Sequence, residues 1–272
     1  MRIRGGIVSD LHFVTPPRDG LSWHNPFDVR GVPKRVRRAV RLFREAECDV
    51  LVCVGDLTHY GDESSLKVLV DLWKAEWGGA LLVVPGNHDD PRLLEQIGAD
   101  GFAGRPEGLL PLESVLLERG PPRRGHLKSA SAEEAAPVRV IVSHYPLLSR
   151  RDHLERSGFA YAGDLANREQ VANDLLGTAS PAIVICGHLH ARDSVSCHSM
   201  LQLAVGSVVE PPFECAVIDV DAREHGRLLV ERSSVVLKAA MPGQRLPVFS
   251  AASERWKYTA GNWRLASDDA HI

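Results

Sequence analysis

Five short apolar runs along the chain are each followed by a polar side chain that can bind a metal ion. The runs cover residues 3–9, 49–54, 81–85, 138–143 and 182–186, and they lead into Asp10, Asp56, Asn87, His144 and His188. Runs of this length and composition are typical of buried strands. Because parallel strands present their carboxyl ends at one edge of a sheet, the pattern predicts a sheet with Asp, Asn and His side chains along that edge.

Apolar positions at helical spacing separate the first strands. We predict helices over residues 33–47, 62–77, 91–97 and 167–176, and the strand, helix, strand order favours parallel βαβ crossovers. The helix at 33–47 is rich in Lys and Arg, which we interpret as the solvated face of a helix covering the sheet. A nucleic-acid-binding stripe is the alternative.

The pattern changes beyond His190. Short strand-like runs at residues 195–198, 200–205, 214–220, 227–231 and 234–237 predict a second, mostly antiparallel sheet. Residues 109–117 are apolar enough for a strand or a short helix, and residues 120–137 have the composition of an exposed loop. We assign residues 1–240 to one domain. Residues 241–272 form a C-terminal tail that either packs on this domain or contacts another subunit.

Composition narrows the class of protein. With a formal charge of −3, the chain lacks the broad basic footprint of a dedicated nucleic-acid binder. An apolar leader segment is absent from the first residues, and no apolar stretch approaches the length of a membrane span, so we expect a soluble cytoplasmic protein without membrane contact. The five cysteines have no CxxC spacing, which favours buried, reduced thiols.

Seven side chains near the predicted strand ends form a donor set: Asp10, His12, Asp56, Asn87, His144, His188 and His190. Taken singly, such residues are more often structural, and Asn87 or Asp89 alone could cap the helix that follows. Together they offer oxygen and nitrogen donors that suit divalent Mn, Fe, Co, Ni or Zn. Seven donors are too many for one ion and fit two that share a carboxylate. Asp10 and His12 reach one ion together if their segment is extended.

The charges of this donor set predict an anionic ligand. The carboxylates of Asp10 and Asp56 neutralise two of the four charges of a divalent pair and leave two positive charges over. Two ions about 3.5 to 4 Å apart clamp the attacking and leaving oxygens of a displacement at phosphorus. A small phosphate ester, such as a nucleotide, fits this arrangement.

The motifs, in order along the chain, resemble those of the calcineurin-like metallophosphoesterase superfamily. They are Asp10-Leu11-His12, Gly55-Asp56, Gly86-Asn87-His88-Asp89, His144 and Gly187-His188-Leu189-His190. The resemblance implies an α/β fold, a four-layer αββα sandwich of two mixed sheets flanked by helices. It also implies hydrolysis of phosphodiester or phosphomonoester bonds by attack of a hydroxide that bridges two metal ions. The sequence is most similar to the branch of class III cyclic-nucleotide phosphodiesterases. A nuclease of the recombination-repair type and a non-catalytic binding module with the same fold are the alternatives.

The resemblance further implies a role for each motif residue. Asp10, His12 and His190 would hold the first ion, Asn87, His144 and His188 the second, and Asp56 both. His88 would face the leaving-group oxygen. At position 59, where the purple acid phosphatase branch has a tyrosine, this chain has a histidine, which argues against a ferric site.

The loops provide candidate substrate-binding residues. The loop at residues 13–32 leaves directly from Asp10 and His12 and is a candidate lid, with surface packing of Trp23 as the alternative. His24, His59, Arg150 and Arg151 are the candidates for substrate contact, although Arg150 and Arg151 also fit a solvated loop. We expect no obligate nucleic-acid partner, and a homodimer remains open.

Overall fold

Two β-sheets packed face to face form the centre of the protein. The structure is a computed structural model that describes residues 1–96, 110, 112–118, 123–128, 137–161, 163–178, 180–222 and 228–266. Its strands are β1 (Arg2–Val8), β2 (Val50–Val54), β3 (Ala80–Val84), β4 (Leu112–Leu117), β5 (Gly125–Lys128), β6 (Arg139–Ser143), β7 (Ala182–Cys186), β8 (Asp193–Cys197), β9 (Met200–Ala204), β10 (Glu214–Ala222), β11 (Leu228–Val236), β12 (Ser253–Thr259) and β13 (Asn262–Leu265). Its helices are α1 (Val32–Glu45), α2 (Glu63–Glu76), α3 (Pro91–Gln96), α4 (Arg151–Arg156) and α5 (Arg168–Leu176).

Both sheets are mixed. The first runs in the order β13-β12-β11-β10-β1-β2-β3, and the second in the order β5-β4-β6-β7-β9-β8. In the first sheet β1, β2 and β3 are parallel, and β10 to β13 are antiparallel. In the second, β4, β6, β7 and β9 are parallel, while β5 and β8 are antiparallel edge strands. The predicted βαβ crossovers are therefore confirmed for β1 to β3.

Apolar side chains on alternate faces of the strands fill three separate cores. In β2, Val50, Val52 and Val54 belong to the core between the sheets, whereas Leu51 and Cys53 belong to the core beneath α1 and α2. A third core lies between the second sheet and the layer of α4 and α5. The predicted four-layer αββα sandwich is confirmed. No helix in the described ranges combines the length and apolarity that a bilayer crossing needs.

The strands beyond His190 do not form a sheet of their own, so that prediction is wrong. The strands β8 and β9 join the second sheet beside β7, and β10 lies next to β1 in the first. The two runs predicted at 227–231 and 234–237 are one strand, β11, with Arg232 in its middle. Arg232 is buried because Glu254 pairs with it at 2.8 Å, so a polar residue does not interrupt this strand. Apolar runs predict strands but carry little information on which neighbours pair.

Three local predictions also need correction. Residues 125–128, predicted as part of an exposed loop, form β5, because they pair with β4 at the sheet edge. The polar loop predicted to follow His144 and to contain Arg150 and Arg151 includes the helix α4, whose Leu154 is buried in the third core. Asp10 and His12 do not lie on an extended segment, since their φ angles are 52° and 41°. The structure assigns the ambiguous residues 112–117 to the strand β4.

The C-terminal segment contributes to the first sheet. Trp256 in β12 and Trp263 in β13 are buried in the core between the sheets. The domain boundary at residue 240 stays a prediction. All five cysteines are free thiols, three of them buried and two, Cys48 and Cys197, half-buried. Some parts of the predicted elements, loops and tail lie outside the described residues, namely 97–109, 111, 119–122, 129–136, 223–227 and 267–272.

Candidate metal centre

Loops at the carboxyl ends of parallel strands from both sheets meet at one place. The loops after β1, β2 and β3 come from the first sheet, and those after β6 and β7 from the second. Among the predicted ligands, the residues with φ angles between 41° and 66° are Asp10, His12, Asp56, His188 and His190. This left-handed region is uncommon for residues other than glycine and is concentrated at functional sites.

The first donor group consists of Asp10, His12, Asp56 and His190, all buried. Their donor atoms lie within 4.8 Å of one another. The Nε2 atoms of His12 and His190 are 3.1 Å apart. His12 Nε2 lies 3.4 Å from an Asp56 carboxylate oxygen, and His190 Nε2 lies 3.4 Å from one of Asp10.

The second donor group shares Asp56 with the first and adds His144 and His188, with donor atoms again within 4.8 Å. His144 Nε2 is 3.4 Å from Asp56 Oδ2 and 3.1 Å from the side-chain oxygen of Asn87. The structure thus brings together all seven predicted ligands, in two groups that meet at one carboxylate.

Hydrogen bonds from the far side of three imidazole rings leave one nitrogen of each ring for the centre. His144 Nδ1 donates to the Val54 carbonyl at 2.8 Å, and His188 Nε2 to the Gly163 carbonyl at 3.2 Å. His190 Nδ1 faces the Glu210 carboxylate at 2.5 Å. Such contacts select the tautomer of a ligand histidine and orient its ring.

Burial keeps two histidines of the centre neutral. Burial lowers the pKa of His12 well below its usual value and that of His188 to about 3, so both rings are neutral with an available lone pair. Burial also disfavours protonation of His144, but the Asp56 carboxylate outweighs it and raises the His144 pKa to about 9. Nitrogen and oxygen donors that converge at 3.1 to 3.4 Å inside a buried site are suited to divalent cations.

Two glycines allow the loops to approach this closely. A Cβ atom at Gly86 would overlap the carboxylate and backbone nitrogen of Asp56. At Gly187 it would overlap the Ser9 hydroxyl, which donates to Asp10 Oδ2 at 2.7 Å. The glycines before Asn87 and His188 therefore keep space for the two carboxylates.

Glu210 is a residue of the centre that sequence reasoning missed. It is fully buried, and besides His190 it accepts hydrogen bonds from the backbone of the 13–32 loop, at Asn25 with a distance of 2.5 Å. It belongs to no recognisable motif and follows His190 by twenty positions. The one signal for it is a carboxylate within the otherwise apolar stretch 208–213.

Asp89 does not act as a helix cap. It is buried, and it accepts hydrogen bonds from the backbone amides of Leu57, Thr58 and Gly86 at 2.9 to 3.1 Å. The loop after β3 is thereby tied to the loop after β2, which carries Asp56.

His88 and His59 lie side by side next to the first donor group. The His88 backbone amide donates to Asp56 Oδ1 at 2.9 Å, and its Nδ1 donates to the His59 carbonyl at 2.8 Å. The two rings stack with centroids 4.8 Å apart. His59 Nδ1 also lies 3.2 Å from His12 Nδ1. Both rings line a cavity of about 200 Å³ over the centre, together with Trp23 and Phe27.

The other candidate substrate-binding residues interact with protein groups in the structure. His24 packs edge-on against Phe159, and its Nε2 donates to the Leu189 carbonyl at 3.1 Å. Arg150 forms an ion pair with Asp193 at 2.5 Å. Arg151 lies over the ring of Tyr161. None of the three is among the described residues that line the cavity.

Comparisons with known proteins agree with this arrangement. Residues 3–192 match the sequence profile of the family described as calcineurin-like phosphoesterase, and this range includes all seven predicted ligands. A relative from Synechococcus sp., described as a probable cyclic nucleotide phosphodiesterase, is 27% identical over 195 residues, which cover 65% of this chain and 73% of the relative. The crystal structure of a dimetal phosphatase from Danio rerio superposes with a TM-score of 0.58 at 16% identity, covering 87% of this chain and 99% of that chain. The last similarity shows a shared fold.

Proposed function

The chain belongs to the calcineurin-like phosphoesterase family, and from this premise we propose that it is a metal-dependent hydrolase of phosphate esters. The observation that carries the proposal is the pair of donor groups that share Asp56. Two ions joined in this way are suited to the displacement of an alcohol from phosphorus by water.

In this proposal Asp10, His12 and His190 would hold one divalent ion and Asn87, His144 and His188 the other, with Asp56 available to both. The donor set fits two ions. It contains two carboxylates, four imidazoles and one amide, and these seven side chains already form two groups without a further ligand. When bound, such ions lower the pKa of water and withdraw charge from phosphate oxygens. Mn, Fe, Co, Ni and Zn suit the nitrogen-rich set better than Ca or Mg.

His88 is proposed to assist the leaving group. Hydrolysis forms a bond from phosphorus to a water oxygen, which loses a proton to solvent. It breaks the bond to the alcohol oxygen, which must gain a proton. Because His88 Nδ1 donates to the His59 carbonyl, Nε2 is the ring atom that remains for the substrate. The protonated ring can therefore donate its Nε2 proton to the leaving oxygen.

A phosphodiester with an aromatic group is the substrate class that the cavity favours. Trp23 and Phe27 line the cavity with aromatic rings, on which a nucleobase can stack. The Synechococcus relative is described as a probable cyclic nucleotide phosphodiesterase, which supports the same class. Cyclic nucleotides are therefore the first substrates to test.

The experiment is a panel of substrates with Mn²⁺ added to the purified protein. The panel contains an aryl phosphodiester, an aryl phosphomonoester, 2′,3′- and 3′,5′-cyclic nucleotides, and single-stranded DNA. We expect hydrolysis of the aryl diester and of at least one cyclic nucleotide. Hydrolysis of DNA alone would replace the proposal with a nuclease, and hydrolysis of none would contradict it.

A further inference from the structure

A second cavity adjoins the metal centre at His88. It has a volume of about 390 Å³ and is lined by Tyr60, Gly61, Arg123 and residues 87–92. Asn87 and His88 line the first cavity as well, so these two residues form the boundary between the two spaces. The volume lies within the range of about 300 to 1,000 Å³ that is typical of small-molecule sites.

Arg123 brings a positive charge to this boundary. Its Nη2 donates to the Asn87 carbonyl at 2.9 Å, one residue from His88. Among the described residues, no carboxylate pairs with Arg123. A guanidinium has five N–H donors in a planar fork, so one hydrogen bond leaves most of them for a ligand. Arg18, whose guanidinium lies 5.2 Å from the centre of the Tyr60 ring, adds a second positive charge beside the cavity wall.

Both carboxylates that line the cavity interact with other groups in the structure. Asp89 is buried and accepts hydrogen bonds from the backbone amides of Gly86 and residues 57–58. Asp90 forms an ion pair with Arg92 at 2.9 Å. The guanidinium of Arg123 is therefore left to attract an anion.

We propose that this second cavity binds the leaving-group side of the substrate, and that the leaving alcohol carries a phosphate of its own. The inference rests on the proposed function, because it places a phosphodiester at the metal centre beside His88. The second phosphate then reaches Arg123, whose planar fork matches two phosphate oxygens. The substrate class is a phosphodiester in which the alcohol that leaves bears an ionised phosphate.

The test is the binding of ligands that resemble the reacting phosphate with the leaving alcohol still attached. Their affinity for the Mn²⁺-loaded protein is measured by titration calorimetry. The ligands are adenosine 3′,5′-bisphosphate and the two adenosine monophosphates, 3′ and 5′. We expect the bisphosphate to bind about 10- to 100-fold more tightly than either monophosphate. This is the gain in affinity that one hydrogen-bonded contact to a charged group provides. Arg123→Gln should remove this difference and leave the affinity for the monophosphates unchanged. Arg123→Lys, which keeps the charge but not the paired donors, should have an intermediate effect.

Arg124→Gln is the matched control, because Arg124 is the adjacent arginine, is exposed and does not line the cavity. It should leave all three affinities unchanged. Equal binding of bisphosphate and monophosphates by the unaltered protein would overturn the inference, as would an equal loss of all three ligands in Arg123→Gln. A protein that hydrolyses the panel yet binds all three equally keeps the proposed function and loses the subsite. One that separates the ligands but hydrolyses nothing supports the phosphate site and contradicts hydrolysis.

Discussion

Glu210 connects the metal centre to the loop above it, and its replacement by glutamine tests that connection. Its carboxylate lies 2.5 Å from His190 Nδ1 on one oxygen and accepts from the Asn25 backbone amide at 2.5 Å on the other. The His24 backbone amide donates to it at 3.4 Å. A single buried carboxylate thus orients a predicted metal ligand and anchors the 13–32 loop, which carries Trp23.

The size of the expected effect follows from the number of acceptors. Glutamine keeps the shape of the side chain but has one acceptor oxygen, so in Glu210→Gln an N–H group must face either His190 or Asn25. A hydrogen bond to a charged group contributes about 1.5 to 3 kcal/mol, and removal of such a partner of a ligand histidine weakens metal affinity about 10- to 100-fold. We therefore expect Mn²⁺ to bind Glu210→Gln about 10- to 100-fold more weakly.

The assay is calorimetric titration of Mn²⁺ into metal-free protein, with limited proteolysis of the 13–32 loop as a second measurement. Glu214→Gln is the control, because Glu214 is equally buried and pairs with Arg192 at 3.0 Å but is not part of the predicted donor set. It should reduce the free energy of unfolding and leave Mn²⁺ affinity unchanged. If Glu210→Gln binds Mn²⁺ as the parent does, or if both variants lose affinity equally, Glu210 has no specific role at the centre.

Three further predictions concern the centre and the stability of the fold. We expect the protein to bind about two metal ions per chain, and Asp56→Asn should lose most of this metal together with its activity. Metal analysis and the aryl diester assay measure these two losses. Unchanged metal content would contradict the role of Asp56 as the shared carboxylate. His88→Ala should keep its metal content and lose about 10²- to 10⁴-fold in rate with an alkyl leaving group but much less with nitrophenol; equal losses would refute proton donation. Burial would raise the pKa of Asp28, but its hydrogen bonds to Lys238 and Arg35 outweigh burial and lower it to about 2. The contribution of Asp28 to the free energy of unfolding is therefore present above pH about 4 and lost as pH falls to about 2. Denaturant unfolding should show that Asp28→Asn is destabilised at pH 6. The difference from the parent protein should shrink between pH about 4 and about 2.

The sequence allowed the prediction of those parts of the centre in which a strand leads directly to a ligand. Asp56 follows β2 and His144 follows β6, and in both cases an apolar run identifies the strand and its carboxyl end. Strand pairing was less predictable, because hydrophobicity does not identify the neighbour of a strand. Arg232 shows the reason, since its burial depends on Glu254 in another strand.

Contacts that depend on distant segments explain the other differences. Arg150 was a plausible phosphate ligand from its place after His144, but the fold supplies Asp193 as its partner. Glu210 was missed because a lone glutamate has no periodicity or spacing that distinguishes it from a surface residue. Its role depends on His190 and on the loop at Asn25, which are brought together by the meeting of both sheets.

The left-handed backbone at the ligands indicates that the fold, and not the ions alone, determines the positions of the donors. Such conformations cost on the order of 1 to 3 kcal/mol each, so the surroundings must stabilise them. The backbone amide of His12 donates to the Asp56 carbonyl at 2.8 Å, and that of Asp10 to the Gly55 carbonyl at 3.2 Å. The His188 amide donates to Asp10 Oδ1 at 3.1 Å and so links the second sheet to the first. Because each loop holds another in place, a change in one ligand loop should affect donors in both groups. We therefore expect the shared residue Asp56 to be the position of the centre that is most sensitive to substitution.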